Sequence, residues 1–269
     1  MKTLATAMVA GLFLLSSCSK SDDQTADTTN GEKASESENV IQDAINVSSD
    51  GLDGSVDGIP NGRIQACATV TNDAVAKILT IDFGTAGCVG ADGRSRKGKI
   101  AIQYVGTVPQ TSPTRSITFT NYSVNNYSIT GALSESGYVR STATSFSFSV
   151  AISGLQIVLS DGRTYAISNL QRTYSINLGA TVQDISDDVT TITGTSTQTG
   201  STGTTTTVEI TSPITFKGSC TSTGNLYPSS GIYKITESNL TYTVDWGTGA
   251  CDKSITIAVL GRTIVKTLP

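Results

Sequence analysis

Apolar and polar side chains alternate with a period of two along most of the chain beyond residue 64. In residues 146–152, for example, Phe, Phe, Val and Ile alternate with Ser and Ala. This period places apolar side chains on one face of a strand and polar ones on the other. At least partial alternation is found in residues 75–83, 99–106, 115–124, 142–152, 154–160, 163–177, 189–198, 203–211, 232–236, 240–246, 254–260 and 262–268. The pattern predicts an all-β fold with a predominantly antiparallel sheet, extended or folded as a sandwich, that has one buried and one wet face.

The segment that precedes these strands lacks the alternation of apolar and polar side chains. Residues 19–39 are polar, acidic and free of aromatic side chains, and such a segment buries too little apolar surface to offset the entropy of ordering. Residues 38–45 carry Val40, Ile41, Ala44 and Ile45 at helical spacing, which favours one short helix. We therefore expect a flexible acidic tether over residues 18–47 and a single all-β domain over residues 48–269.

Three Asp-Gly steps lie within residues 50–58. Asp-Gly favours tight turns, and several carboxylates on a flexible loop could also hold Ca²⁺. The spacing differs from the EF-hand pattern, which needs alternating acids and a distal Glu. Tight turns are therefore the expectation, with calcium as the alternative.

Composition excludes several kinds of chemistry. The chain has 42 Thr, 34 Ser and six Glu but no His, so it cannot hold a Ser-His-Asp triad, a Cys-His pair or a His-ligated zinc.

A net charge of −4 gives no electrostatic reason to bind nucleic acid. The one basic cluster, Arg94, Arg96, Lys97 and Lys99, is interpreted as a solvated hairpin turn, with a phosphate site as the alternative. The sequence predicts no cofactor, no metal and no catalytic residue, so we do not expect an enzyme.

Self-comparison reveals an internal repeat. Residues 80–88, T-I-D-F-G-T-A-G-C, align without gaps on residues 243–251, T-V-D-W-G-T-G-A-C. Each copy has a cysteine upstream and an alternating segment downstream, so we infer cysteine-bounded units at residues 67–105 and 220–268 that are related by a two-fold pseudo-repeat. The motif residues are Asp82, Phe83, Gly84 and Thr85 in the first unit and Asp245, Trp246, Gly247 and Thr248 in the second.

The repeat also bears on the cysteines. Apart from Cys18 there are four, an even number that indicates disulfides in an exported protein. Three pairings are conceivable, and equivalent cysteines should pair within equivalent units, which predicts Cys67–Cys88 and Cys220–Cys251 with no free thiol. A four-thiolate metal site is the alternative, but it lacks the C-x-x-C spacing.

Asp82 and Asp245 occupy the same place in the two units, and a pair of carboxylates is what glycoside hydrolysis requires. Acid and base catalysis needs two carboxylates in different environments, whereas a repeat gives both the same environment. We therefore interpret each Asp as a turn former whose side chain accepts backbone N–H bonds.

The N-terminus has the features of an export signal. Lys2 precedes an apolar run over residues 4–15, which is too short to span a bilayer. The string L-S-S-C that ends at Cys18 resembles the lipobox of bacterial lipoproteins, which implies cleavage after residue 17 and acylation of Cys18. Residues 18–23, C-S-K-S-D-D, resemble the Lys-plus-acidic signal that sends Bacteroidota lipoproteins to the outer face of the outer membrane. The alternatives are an ordinary secretory signal and simple linker charges.

The strings I-D-F-G-T-A-G-C-V-G-A-D-G-R-S-R-K-G-K-I and V-D-W-G-T-G-A-C-D-K-S-I-T-I resemble those of a family of Bacteroidota outer-membrane lipoproteins with such a unit near each end. The similarity takes in Asp187, Asp188 and residues 192–194, and so covers most of residues 65–268. It implies a membrane location and an architecture, and it carries no activity with it.

Three function classes follow. The first is a surface-exposed, lipid-anchored binding or adhesion module for a glycan or protein ligand. The alternatives are a structural or accessory lipoprotein of an outer-membrane complex and a carboxylate-based glycan hydrolase. We expect Tyr122, Tyr127, Tyr138 and Tyr227 to be the exposed rings that could stack on a sugar, and Trp246 to pack in the core. A concave cleft with clustered Tyr and Asp would favour the binding module or the hydrolase, and a flat, featureless sheet would favour the accessory protein.

Overall fold

The computed structural model describes residues 29–57, 64, 67–107, 112–152, 154–180, 184–221 and 227–268. Most of these residues lie in one antiparallel sheet, which confirms the predicted all-β class. The strands are β1 (Thr69–Asp73), β2 (Ile78–Asp82), β3 (Cys88–Val89), β4 (Ser95–Tyr104), β5 (Thr114–Val124), β6 (Tyr127–Thr130), β7 (Ala132–Arg140), β8 (Ser145–Ile152), β9 (Leu155–Val158), β10 (Thr164–Asn177), β11 (Val189–Gly200), β12 (Thr205–Lys217), β13 (Ser230–Glu237), β14 (Leu240–Thr248), β15 (Ser254–Val259) and β16 (Arg262–Thr267). Two helices accompany them, α1 (Thr29–Asp57) and the single turn α2 (Gly218–Thr221), with a 3₁₀ turn at Ile185–Asp187.

Strand order largely follows the sequence. Hydrogen-bonded neighbours run β1-β2-β4-β5-β6-β9-β10-β11-β12-β13-β14-β15-β16, so β1 and β16 are the two edges of this path. Between β5 and β10 two strand pairs, β6–β9 and β7–β8, lie one after the other along the sheet. The long strand β5 pairs with both β6 and β7, and β10 pairs with both β8 and β9. The kink between β6 and β7 needs Gly131, which has φ +105° and whose backbone approaches Gly154 so closely that a Cβ would lie 2.6 Å from its carbonyl oxygen.

The sheet curves around helix α1. Side chains of the helix contact Arg96 on β4, Tyr122 on β5, Arg172 on β10, Gln198 on β11 and Lys266 on β16. Strands from one end of the sheet to the other therefore face the same helix. The apolar positions of the strands point inward and pack with the helix in one continuous core.

The expected tether is wrong for the part of it that the structure describes. Residues 29–47 belong to α1, and both apolar and polar side chains of this segment are buried, including Ser37, Glu38 and Asp43. The helical spacing of Val40, Ile41, Ala44 and Ile45 is real, but the helix is far longer than residues 38–45. An acidic segment can be buried here because arginines on the inner face of the sheet neutralise its carboxylates. Residues 18–28 lie outside the described part.

The expected tight turns after residue 48 are also wrong, because α1 continues to Asp57 and the domain has no boundary at residue 48. Gly51 lies in the helix where it crosses β2. A Cβ at this position would lie 2.6 Å from Cγ1 of the buried Ile81, and closer still to its Cδ1. The glycine therefore serves close helix–sheet packing. No helix in the described residues is long and apolar enough to cross a membrane.

Candidate functional site

A cleft of about 430 Å³ opens between the N-terminal half of α1 and four segments that connect the strands. These are the β3–β4 turn, the β5–β6 turn, the segment before β13 that carries Tyr227 and the β14–β15 turn that carries Lys253. The residues that line it are Glu36, Asn39, Val40, Asp92, Gly93, Arg94, Val124, Asn125, Tyr127, Tyr227 and Lys253. The cleft thus combines rings, amides and charges of both signs.

Two of these walls are hairpin turns with defined local geometry. Asn125 and Asn126, with φ of 45° and 70°, form the two-residue turn that separates β5 from β6 and places Tyr127 at the start of the next strand. In the β3–β4 turn, Gly93 has φ +77° and donates its N–H to the carbonyl of Gly90. Positive φ favours Asn and Gly, so these residue types are what the two turns require.

Two tyrosines provide the aromatic surface. The ring of Tyr227 stacks on the buried Trp246, with centroids 5.9 Å apart and planes inclined by 19°. Its burial raises the pKa of Tyr227, and the nearby Arg94 works in the opposite direction. Tyr127 donates its hydroxyl hydrogen bond to Oε2 of Glu36 at 3.4 Å. The Tyr227 ring is therefore braced by Trp246, and Tyr127 is oriented by the hydrogen bond of its hydroxyl group.

A buried ionic network extends beneath the cleft from two of its lining residues, Asp92 and Arg94. Asp92 accepts hydrogen bonds from Nη1 and Nη2 of Arg96 at 2.9 and 2.6 Å. Asp43 on the helix accepts from Nη2 of the same Arg96 at 2.5 Å and from Nη1 of Arg94 at 2.8 Å. The hydroxyl of Tyr122 donates to Asp43 at 3.1 Å. Burial alone would raise the pKa of Asp43, but the two arginines hold it well below its usual value of 3.8.

The network corrects the expectation for the basic cluster. Arg96 is completely buried, and the side chain of Arg94 is only 14% exposed, whereas Lys97 and Lys99 are exposed as predicted. The two arginine side chains lie inside the sheet because they form ion pairs with the carboxylates of Asp43 and Asp92.

Two disulfides anchor loops of the cleft. Cys67 pairs with Cys88 and Cys220 with Cys251, with Cα–Cα distances of 5.4 and 4.9 Å, which confirms the predicted pairing. Cys88 lies just before the turn that carries Asp92, and Cys251 lies two residues before Lys253. The bridges therefore hold the roots of two facing loops, one from each cysteine-bounded unit.

The repeat motifs themselves have matching local geometry outside the cleft. Asp82 Oδ1 accepts the N–H of Gly84 at 2.9 Å, and Asp245 Oδ1 accepts that of Gly247 at 2.8 Å. Both glycines have positive φ, of 71° and 81°. These contacts agree with the interpretation of each Asp as a turn former.

The other motif residues also match. Phe83 and Trp246 are buried, while Thr85 and Thr248 are exposed. The core position predicted for Trp246 is therefore confirmed. A symmetry that relates the whole units stays a prediction.

Of the four tyrosines expected to be exposed, only Tyr127 and Tyr227 line the cleft. Tyr122 is buried, because its hydroxyl reaches Asp43 inside the sheet. Tyr138 packs on Phe146, with centroids 5.4 Å apart, and under the guanidinium of Arg115.

Sequence reasoning missed the helical wall of the cleft, Glu36 and Asn39, because it assigned these residues to a solvated tether. It also missed Asp92 and Lys253, which no local pattern distinguishes from ordinary loop charges. Cys18 and Gly58 lie outside the described residues. Within the described ranges, no group of three or more His, Cys, Asp or Glu side chains could hold a metal ion. No family model, curated protein or solved structure matches the chain.

Proposed function

We propose that the chain is a binding module that captures a polar ligand, a glycan or a segment of another protein, in this cleft. The observation that carries the proposal is the combination of a braced aromatic wall, Tyr227 on Trp246, with amide and charged groups around one concavity. A volume of about 430 Å³ is in the range of pockets that hold small ligands. Aromatic faces supply contact area with little loss of side-chain entropy, and the polar groups fix orientation.

The contacts of the carboxylates at the cleft favour ligand binding rather than glycoside hydrolysis as the function. A glycosidase needs one carboxyl group that donates a proton and a second that attacks or activates water. Both oxygens of Asp92 are occupied by Arg96, and Glu36 is paired with Lys33 at 2.8 Å and accepts from Tyr127. These pairings suit fixed recognition groups, and we propose that the chain is not an enzyme. An accessory lipoprotein would need no such cleft.

The proposed location is the outer membrane, with the chain held through lipid on Cys18 and facing the cell exterior. The sequence features of residues 1–23 support this location. Two or more acyl chains give stable anchoring, because each buried methylene contributes about 0.8 kcal/mol. A surface location would bring the cleft into contact with extracellular glycans and proteins.

The test is binding of the full chain, purified in detergent, to an array of neutral and acidic oligosaccharides. The matched variants are Tyr227→Ala, which removes the ring, and Tyr227→Phe, which keeps it. We expect Tyr227→Ala to lose at least tenfold in affinity and Tyr227→Phe to retain most of it. Tyr138→Ala is the control, because it removes a tyrosine ring that packs outside the cleft.

Circular dichroism and the absence of labelled thiols establish that each variant is folded. If folded Tyr227→Ala binds every positive oligosaccharide as tightly as the parent chain does, the cleft is not the binding site. If neither oligosaccharides nor proteins from the surrounding medium bind the parent chain, the proposed function is wrong.

A further inference from the structure

One cation that lines the cleft has no ion-pair partner among the described residues. Glu36 is matched by Lys33, and the pair of carboxylates Asp43 and Asp92 is matched by Arg94 and Arg96. Lys253 also lines the cleft and forms no ion pair with a described residue. Its ammonium is therefore available, as far as the described part of the chain shows, to pair with an anion in the cleft.

The backbone of Lys253 is held in place by neighbouring contacts. It lies two residues after Cys251, which is bridged to Cys220. Its carbonyl accepts the N–H of Leu268 at 2.8 Å. The neighbouring Asp252 points back into its own turn, where Oδ1 accepts the N–H of Ser254 at 3.0 Å. The turn is thus fixed while the lysine side chain is exposed at the cleft, so the ammonium can reach an incoming anion.

Asn39 provides a second, independent sign of a missing partner. Its Oδ1 atom is buried beside the cleft and makes no hydrogen bond. A buried polar atom without a partner costs about 1–3 kcal/mol, and no described residue provides one for this oxygen. A ligand hydroxyl that reaches the oxygen would donate the missing hydrogen bond.

We propose that the ligand is an acidic saccharide. The sugar ring packs against Tyr227, one hydroxyl satisfies Asn39, and a carboxylate or sulfate on the sugar pairs with Lys253. This inference rests on the proposed function and narrows it from polar ligands in general to sugars that carry an oxyanion.

The experiment uses pairs of oligosaccharides that differ only in charge, with the full chain in detergent. The pairs are a hexuronate oligomer and its methyl ester, and a sulfated oligosaccharide and its desulfated form. The two pairs distinguish a carboxylate from a sulfate as the recognised group. Affinity is measured by titration calorimetry for the parent chain and for Lys253→Gln, Asn39→Ala and the control Lys234→Gln. Lys234 is an exposed lysine on β13, so its replacement changes the net charge equally.

We expect an acidic member to bind at least tenfold more tightly than its neutral counterpart. A charge-assisted hydrogen bond contributes enough for Lys253→Gln to remove most of this difference while the neutral form is unaffected. Raising the salt concentration should weaken the acidic ligand alone. Asn39→Ala should weaken both forms, and Lys234→Gln should change neither.

Equal binding of the acidic and neutral members overturns the inference and leaves the proposed function standing. The same holds if Lys253→Gln and Lys234→Gln have the same effect. If no saccharide binds while a protein ligand occupies the cleft, the inference also fails. Loss of all ligand binding at the cleft, by contrast, refutes the proposed function itself.

Discussion

Asp43→Asn tests whether the ionic network beneath the cleft holds helix α1 inside the sheet. The Asp43 carboxylate is buried and accepts four hydrogen bonds, one from Arg94, two from Arg96 and one from Tyr122, at 2.5–3.1 Å. Asparagine has nearly the same shape but no charge, and its NH₂ group faces donors. Breaking a buried ion pair by removing one partner costs about 3–5 kcal/mol. Against a total stability of about 5–15 kcal/mol, the loss should be large.

The assay is urea unfolding followed by the fluorescence of Trp246, the only tryptophan. The control is Glu209→Gln, which breaks an ion pair between strands, with Lys234, in which both side chains are about half exposed. Exposed pairs contribute about 0–1 kcal/mol, so the control should stay close to the parent. If Asp43→Asn and Glu209→Gln lower the free energy of unfolding equally, the helix is not held by this network.

The difference in unfolding free energy between the parent and Asp43→Asn should depend on pH in a defined direction. The folded state lowers the pKa of Asp43, so its contribution to stability is complete above the unfolded value near 3.8 and is lost as the pH falls through the folded pKa. The difference in unfolding free energy between the parent and Asp43→Asn should therefore be constant near neutral pH and shrink below about pH 4. A difference that grows on acidification would contradict the assignment.

Three further predictions concern packing, disulfides and location. Gly51→Ala should lower the free energy of unfolding by about 1–3 kcal/mol, because the added Cβ meets the buried Ile81. Thermal unfolding tests this, and an unchanged or higher Tm would show that the helix does not cross β2 this closely. Replacing Cys67 and Cys88 together by serine should cost about 2–5 kcal/mol in urea unfolding, and a loss of less than 1 kcal/mol would contradict a bridge that constrains the unfolded chain. Cys18→Ala should move the protein from the membrane pellet to the soluble fraction, and retention in the pellet would contradict the lipid anchor.

The sheet was predictable because strand periodicity is a local property. Alternation around Phe148 and Ile102 marks the buried face directly, and both residues are in the core. The disulfide pairing was predictable for a different reason, since residues 80–88 and 243–251 repeat one another and the pairing within one copy constrains the other.

The helix was not predictable in the same way. The sequence predicts that its polar residues Glu38 and Asp43 are solvated, because it gives no sign of their ion-pair partners. These partners, Arg172 and Arg96, lie 134 and 53 residues away along the chain. Burial of such a segment depends on ion pairs that exist only in the folded sheet. Since the helix forms one wall of the cleft, the cleft could not be predicted either.

A ligand bound in the cleft between α1 and the cystine-anchored loops should protect the backbone around it. The most direct measurement is amide hydrogen exchange of the full chain with and without the oligosaccharide that binds most tightly on the array. We predict slower exchange in residues 36–40, 92–94 and 124–127 on binding. Protection confined to the Thr-rich outer positions of β11 and β12, with no change in these three segments, would contradict the claim.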